Sequence, residues 1–202
     1  MANARIVSAT TDRDREFSEL AIHSGPELIP AIFGPRARNF WKRAFRHPRC
    51  LFSFEHTRFI EVEGEPAGMA LAYDRETKRR QERRSTLLML RQLKWDFFRQ
   101  MPVMRQSGEI MARITEGDFY LSNLAVYPRF RGLGYGAQLM ASIEESAIRS
   151  GSKRVVLDAE ADKERTIQFY HRQGYRIEEE LPTLKARTKD FRLFKLTKNL
   201  QS

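Results

Sequence analysis

The segment from Val126 to Ala137, VYPRFRGLGYGA, restricts the fold of this chain more than any other stretch. The apolar run Phe119 to Val126 reads as a buried strand, and Pro128 ends it because proline offers no N–H to a ladder. Beyond the turn, Leu139, Ile143 and Ala147 share one face of a helix from Tyr135 to Arg149, stopped by Gly151. A strand that enters a helix through such a turn belongs to an α/β architecture. Gly132, Gly134 and Gly136 carry no Cβ, so an anion can approach the backbone closely, and the first-turn N–H groups of the helix point at it. Arg131 adds a positive charge at the same place.

The flanking segments extend this unit. Arg5 to Ala9 reads as a strand, and Thr11 with Asp14 has capping-box spacing ahead of the helical face Phe17, Leu20 and Ala21. Between Pro35 and Pro48, Ala37, Phe40, Trp41, Ala44 and Phe45 recur at helical spacing, with Arg36, Lys42, Arg43 and Arg46 opposite, so Trp41 and Phe45 are expected in the core. Arg58–Val62 and Ala67–Tyr73 predict a hairpin around the turn at 63–66. From Arg75 to Met101, a basic cluster (Lys78, Arg79, Arg80, Arg83, Arg84) leads into Leu87, Leu90, Leu93, Phe97 and Met101. That pattern predicts one long helix ended by Pro102, its apolar side buried on the sheet or on a partner; its basic side reads as a solvated face, or as a lid over an acceptor site, an interface for a second subunit or a surface for an acidic macromolecule. A strand at Arg154–Ala159, a helix near Lys163–Arg172 ending at Gly174, and closing strands at Tyr175–Glu179 and Phe191–Thr197 around a loop at Pro182 complete the order. The expectation is one domain over residues 1–202: a mixed sheet flanked by helices, with an extra basic helical segment at about 75–113.

Three guests compete for the glycine turn, and composition narrows them. A net charge of +10 favours an anionic partner, whether nucleic acid, an acidic protein or a polyphosphate-bearing cofactor. One cysteine, Cys50, rules out an intramolecular disulfide, and the spacing of Cys50 and the four histidines offers no zinc site, so no metal is expected. No apolar run is long enough for a membrane span and the amino-terminal segment Met1 to Arg5 lacks a signal-peptide core, so the expected compartment is the cytoplasm, with no membrane partner. Glycines that merely tighten the connection are one reading of the turn. A dinucleotide fingerprint is a second, since Gly132, Gly134 and Ala137 match its spacing and Asp158 ends the next strand about 20 residues on. Against it, Pro128 to Arg131 separate strand from first glycine, and only one helix and an antiparallel pair follow Asp158.

The third guest is acyl-coenzyme A. Arg131, Gly134 and Gly136 occupy the positions of the Arg/Gln-x-x-Gly-x-Gly/Ala motif of the GNAT superfamily of N-acetyltransferases, which this segment resembles. Downstream, Phe169 to Tyr175 (FYHRQGY) resembles the Leu-Tyr-x-x-x-Gly-Phe block of the same family, one βα unit away. The likeness covers most of the chain except the helical segment at about 75–113.

The resemblance implies the GNAT acyltransferase fold and acetyl-CoA as co-substrate. It places the pyrophosphate on the backbone of Arg131, Gly132, Leu133, Gly134, Tyr135, Gly136 and Ala137, and pantetheine along Leu124, Ala125 and Val126, where the strand is implied to splay from its neighbour. A backbone N–H near Leu124 would stabilise the oxyanion. Tyr170 falls where the family often places a general acid for the departing thiolate; otherwise it is an aromatic packed beneath the sheet. No carboxylate stands near Ser122 or Asn123, where many relatives carry a base; the nearby acids are Glu116, Asp118, Asp158, Glu160 and Asp162. Lys163 replaces an Asn that in relatives contacts the cofactor. The implied partner is an amine-bearing small molecule or protein acceptor. The missing carboxylate and basic surface favour the alternative, a silent acyl-CoA-binding or nucleic-acid-binding module on the same fold.

Overall fold

A computed structural model describes residues 3–187 and 189–200; Met1 and Ala2, part of the segment scanned for a signal peptide, lie outside them. The sheet has seven strands: β1 (Ala4–Ser8), β2 (Thr57–Val62), β3 (Glu65–Asp74), β4 (Asp118–Val126), β5 (Arg154–Glu160), β6 (Arg176–Lys185) and β7 (Asp190–Asn199), in the order β1-β2-β3-β4-β5-β7-β6. Every neighbouring pair is antiparallel except β4 and β5. Their parallel pairing requires a crossover, which α6 (Tyr135–Arg149) supplies, as its apolar stripe and glycine stop predict.

Period-two alternation divides the strand side chains between two cores. On one face, Phe59, Met69 and Leu71 pack with α1 (Asp14–Ser24), α2 (Leu28–Phe33) and α3 (Ala37–Phe45), where Phe17, Trp41 and Phe45 are buried. On the other, Ile60, Ala70, Leu121, Val155 and Leu157 pack with α6 and α7 (Glu164–Arg172). The site lies where the two layers meet across the sheet.

The basic segment departs from expectation. It forms two helices, α4 (Arg75–Leu93) and α5 (Trp95–Ile110), broken at Lys94, which takes a left-handed φ of 51°. Turning back at Lys94 lets Leu93, Val103 and Ile110 all join the first core, which one straight helix could not do. Pro102 stands inside α5 rather than ending it. Leu87, Leu90 and Met101 are exposed, because the buried side of the pair runs through Ser85, Leu93 and Val103 instead. Gln106 ties α5 to the sheet, donating to the Thr183 carbonyl (3.3 Å) and accepting from the Lys185 N–H (3.1 Å).

Three smaller departures have local causes. Pro182 lies within β6, not in a loop: β6 is an edge strand, and its register with β7 shifts between Leu181 and Leu184. The Thr11/Asp14 capping box is absent; Thr11–Arg13 is a 3-10 turn and Asp14 instead faces Arg46 at 3.5 Å. The short helix α2 follows α1 where no periodic pattern marked it.

Candidate active site

Pairing of β4 with β5 runs from Asp118 opposite Arg154 to Leu121 opposite Leu157 and then stops, although both strands continue. The cause is a bulge. Asn123 pairs with Leu71 of β3 and Leu121 with Ala72, leaving Ser122 as the extra residue, and a bulge bends its strand and raises the local twist. β5 stays with β7 through Glu160, so the opening lies between β4 and β5. The Tyr127 N–H donates to the Ala67 carbonyl on β3 (2.9 Å). By alternation, Leu124 and Val126 turn their N–H and C=O groups into the opening. The Arg131 Nε–H accordingly reaches the Val126 carbonyl at 3.1 Å. β3 is held close to β4 by Gly68, where a Cβ would stand 2.6 Å from the Ala125 oxygen.

The glycine turn lies at the end of this opening. Pro128–Phe130 makes one 3-10 turn, after which Gly132 (φ 81°) and Gly134 (φ 82°) adopt the left-handed region with open space where a Cβ would point. Gly136 serves packing: a Cβ there would lie 3.2 Å from the Phe169 ring of α7. The first backbone N–H of α6 taken by a carbonyl outside the helix's regular ladder belongs to Gln138, which donates to Gly134. The N–H groups of residues 132–137 find no carbonyl acceptor among the described residues. They form a concave run of donors at a helix N-terminus, the arrangement that holds a phosphate.

Tyr170 projects from α7 on the same face as this turn, 7% exposed, with ring centroids of Phe169 at 5.3 Å and Tyr175 at 6.0 Å. Burial alone raises its phenol well above the ordinary value, so it stays protonated at neutral pH.

The five candidate acids separate clearly. Glu116 is exposed at the far end of β4, and Asp162 pairs with Lys189 at 3.2 Å. Asp118 is buried, which works to raise its pKa. The Arg154 guanidinium at 2.5 Å and the Thr115 N–H and hydroxyl win, holding the carboxyl below its usual range. Burial raises Glu160, whose Oε2 is sealed without a partner. Asp158 is the residue immediately past the last β4–β5 pair. One of its oxygens, Oδ2, accepts both the Ala112 N–H (2.7 Å) and the Tyr120 hydroxyl (3.0 Å). Burial raises its pKa against those two bonds and the nearby Lys195 charge. Asp158 alternates with Val155 and Leu157 and so lies on the face opposite Tyr170, with the opening between them.

On the Asp158 face a cavity of about 420 Å³ ends at the bulge, with Tyr120, Ser122 and Asn123 as its floor and α2, α4 and α5 as walls. Asn123 locks the floor, donating to the Ser24 hydroxyl (2.7 Å) and accepting from the Ser122 hydroxyl (2.9 Å). Lys163 turns to Glu27 (3.0 Å), which also holds Lys189 (2.9 Å). The sequence offers a lid over an acceptor site as one role for this segment, but not a two-helix wall, because nothing in the pattern marks the reversal at Lys94. The Tyr120–Asp158 contact was within reach: parallel register pairs Tyr120 with Val156, placing Asp158 two residues along the same face.

A mixed sheet whose two parallel central strands part at a bulge, beside a donor-rich helix N-terminus, defines an acyl-CoA-dependent acyltransferase. The sequence matches the Acetyltransferase (GNAT) family over residues 26–175, and the chain belongs to that family. It is an acetyl-CoA-dependent N-acetyltransferase. No curated protein sequence matches it. Among solved structures, an N-acetyltransferase from Staphylococcus aureus Mu50 is similar at a TM-score of 0.69 and 16% identity, covering 95% of this chain and 99% of that one. yncA from Salmonella typhimurium, with its cofactor acetyl-CoA, is similar at 0.60 and 17%, covering 100% and 96%. The ribosomal-protein-S18-alanine N-acetyltransferase from Escherichia coli is similar at 0.60 and 12%, covering 99% and 96%. At these identities the likeness is one of fold. Among the described residues no helix is long and apolar enough to cross a membrane, and no group of three His, Cys, Asp or Glu is placed to hold a metal.

Proposed function

We propose that this enzyme acetylates a primary amine by direct transfer, with Asp158 as general base and Tyr170 as general acid. The observation that carries the reading is the opening itself: the end of β4–β5 pairing lies between the N–H run at 132–137 on one face and the cavity on the other. The run fits a pyrophosphate by chemistry and by the room left at Gly132 and Gly134. Arg131 to Ala137 hold it, and Leu124, Ala125 and Val126 bind pantetheine along the strand. Bound there, acetyl-CoA supplies an activated acyl group. Asp158 takes the proton of the entering ammonium, directly or through a water. The Leu124 N–H, turned into the opening, stabilises charge on the carbonyl oxygen. Tyr170, neutral at working pH, gives its proton to the departing sulfur.

Calorimetric titration with acetyl-CoA and thiol release across a panel of amines test this. Saturable binding with amine-dependent release is expected. Binding without release from any amine would identify a silent acyl-CoA-binding module instead, and salt-sensitive nucleic-acid affinity would point to the other alternative. Gly134→Ala probes the cradle. At φ 82° an added Cβ meets no neighbour, so the penalty is backbone strain of about 1–2 kcal/mol. As the turn shifts to relieve it, acetyl-CoA affinity is expected to fall about 5- to 30-fold. An unchanged Kd would remove the turn from the binding site.

A further inference from the structure

We propose that the cavity behind the bulge takes the body of the acceptor, and that this body is apolar: an alkyl or arylalkyl primary amine with a single positive charge. The inference rests on the acetyl-transfer reading and names its substrate class. Position comes first. The floor of the cavity is Tyr120, Ser122 and Asn123, and Tyr120 donates to Asp158 at 3.0 Å, so an amine resting on Tyr120 is one hydroxyl away from the proposed base. The walls carry the second argument. Met89, Met104 and Met111 face Phe33, Phe52 and Phe97, a lining of adaptable sulfur and aromatic surface that gains by burying hydrocarbon.

Charge decides between amines. Three charged residues line the cavity: the Lys78 ammonium bonds the Ala112 carbonyl (2.9 Å), while Glu82, 3.8 Å from Lys78, and Arg105, bonded to Glu109 at 2.9 Å, are largely exposed to solvent. At the floor the carboxylate is Asp158, reached through the Tyr120 hydroxyl. One ammonium is therefore accommodated, whereas a polyamine's second charge or an amino acid's carboxylate would enter an apolar wall without a counter-ion. At about 420 Å³ the space falls within the roughly 300–1,000 Å³ usual for small-molecule sites.

The test is kcat/KM for ethylamine, butylamine, hexylamine and 2-phenylethylamine against lysine and spermidine, with acetyl-CoA saturating. The linear series is expected to rise about fourfold per methylene, with lysine and spermidine far below hexylamine. Two variants localise the effect. Gly108 lines the cavity and has open space where a Cβ would point, so Gly108→Phe introduces bulk at the lining without a clash at Cβ, in a helix where glycine is unfavourable. Met104→Gln keeps the wall's volume and makes it polar. Each is expected to lower kcat/KM for hexylamine about tenfold or more while ethylamine and acetyl-CoA affinity stay within about twofold. A flat series, preference for lysine or spermidine, or variants that change acyl-chain preference with the amine profile unmoved would overturn the inference and leave acetyl transfer standing. Failure of thiol release with every amine would instead sink the parent reading.

Discussion

Tyr170→Phe is expected to lower kcat by about 10²-fold or more while the Kd for acetyl-CoA and the Tm stay close to those of the wild type. The ring stays, so its contacts with Phe169 and Tyr175 stay too. What is lost is one O–H. An enzyme in which Tyr170 only packs should tolerate that change without loss of stability, because nothing but burial perturbs this phenol. An enzyme in which it protonates the departing sulfur must expel a bare thiolate, so the loss falls on kcat. The raised pKa also fixes the pH behaviour: Tyr170 remains protonated past its ordinary value of about 10, and the wild-type rate should show no alkaline limb from it at lower pH. An unchanged kcat in the Phe variant would assign Tyr170 to packing.

The parts of the site legible in the sequence are those built from local chemistry. Strand, turn and helix from Phe119 to Arg149 were readable because Pro128, the glycines and the spacing of Leu139, Ile143 and Ala147 act within a few residues. Tyr170 is singled out by the family resemblance of the block Phe169 to Tyr175, while the helix that carries it and its glycine stop are readable locally. The resemblance implies that the strand splays at Leu124 to Val126, but the bulge at Ser122 was hidden, since it depends on which β3 residue each β4 residue meets, and no side chain there announces it. That the acceptor wall is a pair of helices was hidden for a related reason, although a lid is among the roles the segment suggests. Leu87, Leu90 and Met101 give a regular apolar stripe that is exposed in the fold, while the wall residues Met89 and Met104 follow from a reversal at Lys94. Long-range register and chain reversal, not local propensity, decided both.

The same register makes Asp158→Asn informative, because the substitution removes charge while keeping geometry. Both the Ala112 N–H and the Tyr120 hydroxyl go to a single oxygen of Asp158, so the amide oxygen of Asn can accept both bonds. Activity should fall about 10²- to 10⁴-fold if the carboxylate removes the amine proton. The wild-type rate should decline as pH falls through the pKa of Asp158, which burial holds above the ordinary carboxylate value, and the Asn variant should lack that limb. Stability provides an independent reading with a definite sign. A carboxyl whose pKa is higher in the folded than in the unfolded chain binds its proton more tightly when folded. Its contribution therefore favours folding at low pH and is lost as pH rises from the ordinary value through the folded one. Asp158→Asn carries no such loss, so at neutral pH its Tm should match or exceed that of the wild type. A Tm well below the wild type would mean that Asp158 chiefly anchors the end of α5 through Ala112. An Asn variant with wild-type kcat would exclude the carboxylate as the base. A dead but stable variant without the acidic limb is the outcome that places proton removal on β5, one residue beyond the point where the two central strands part.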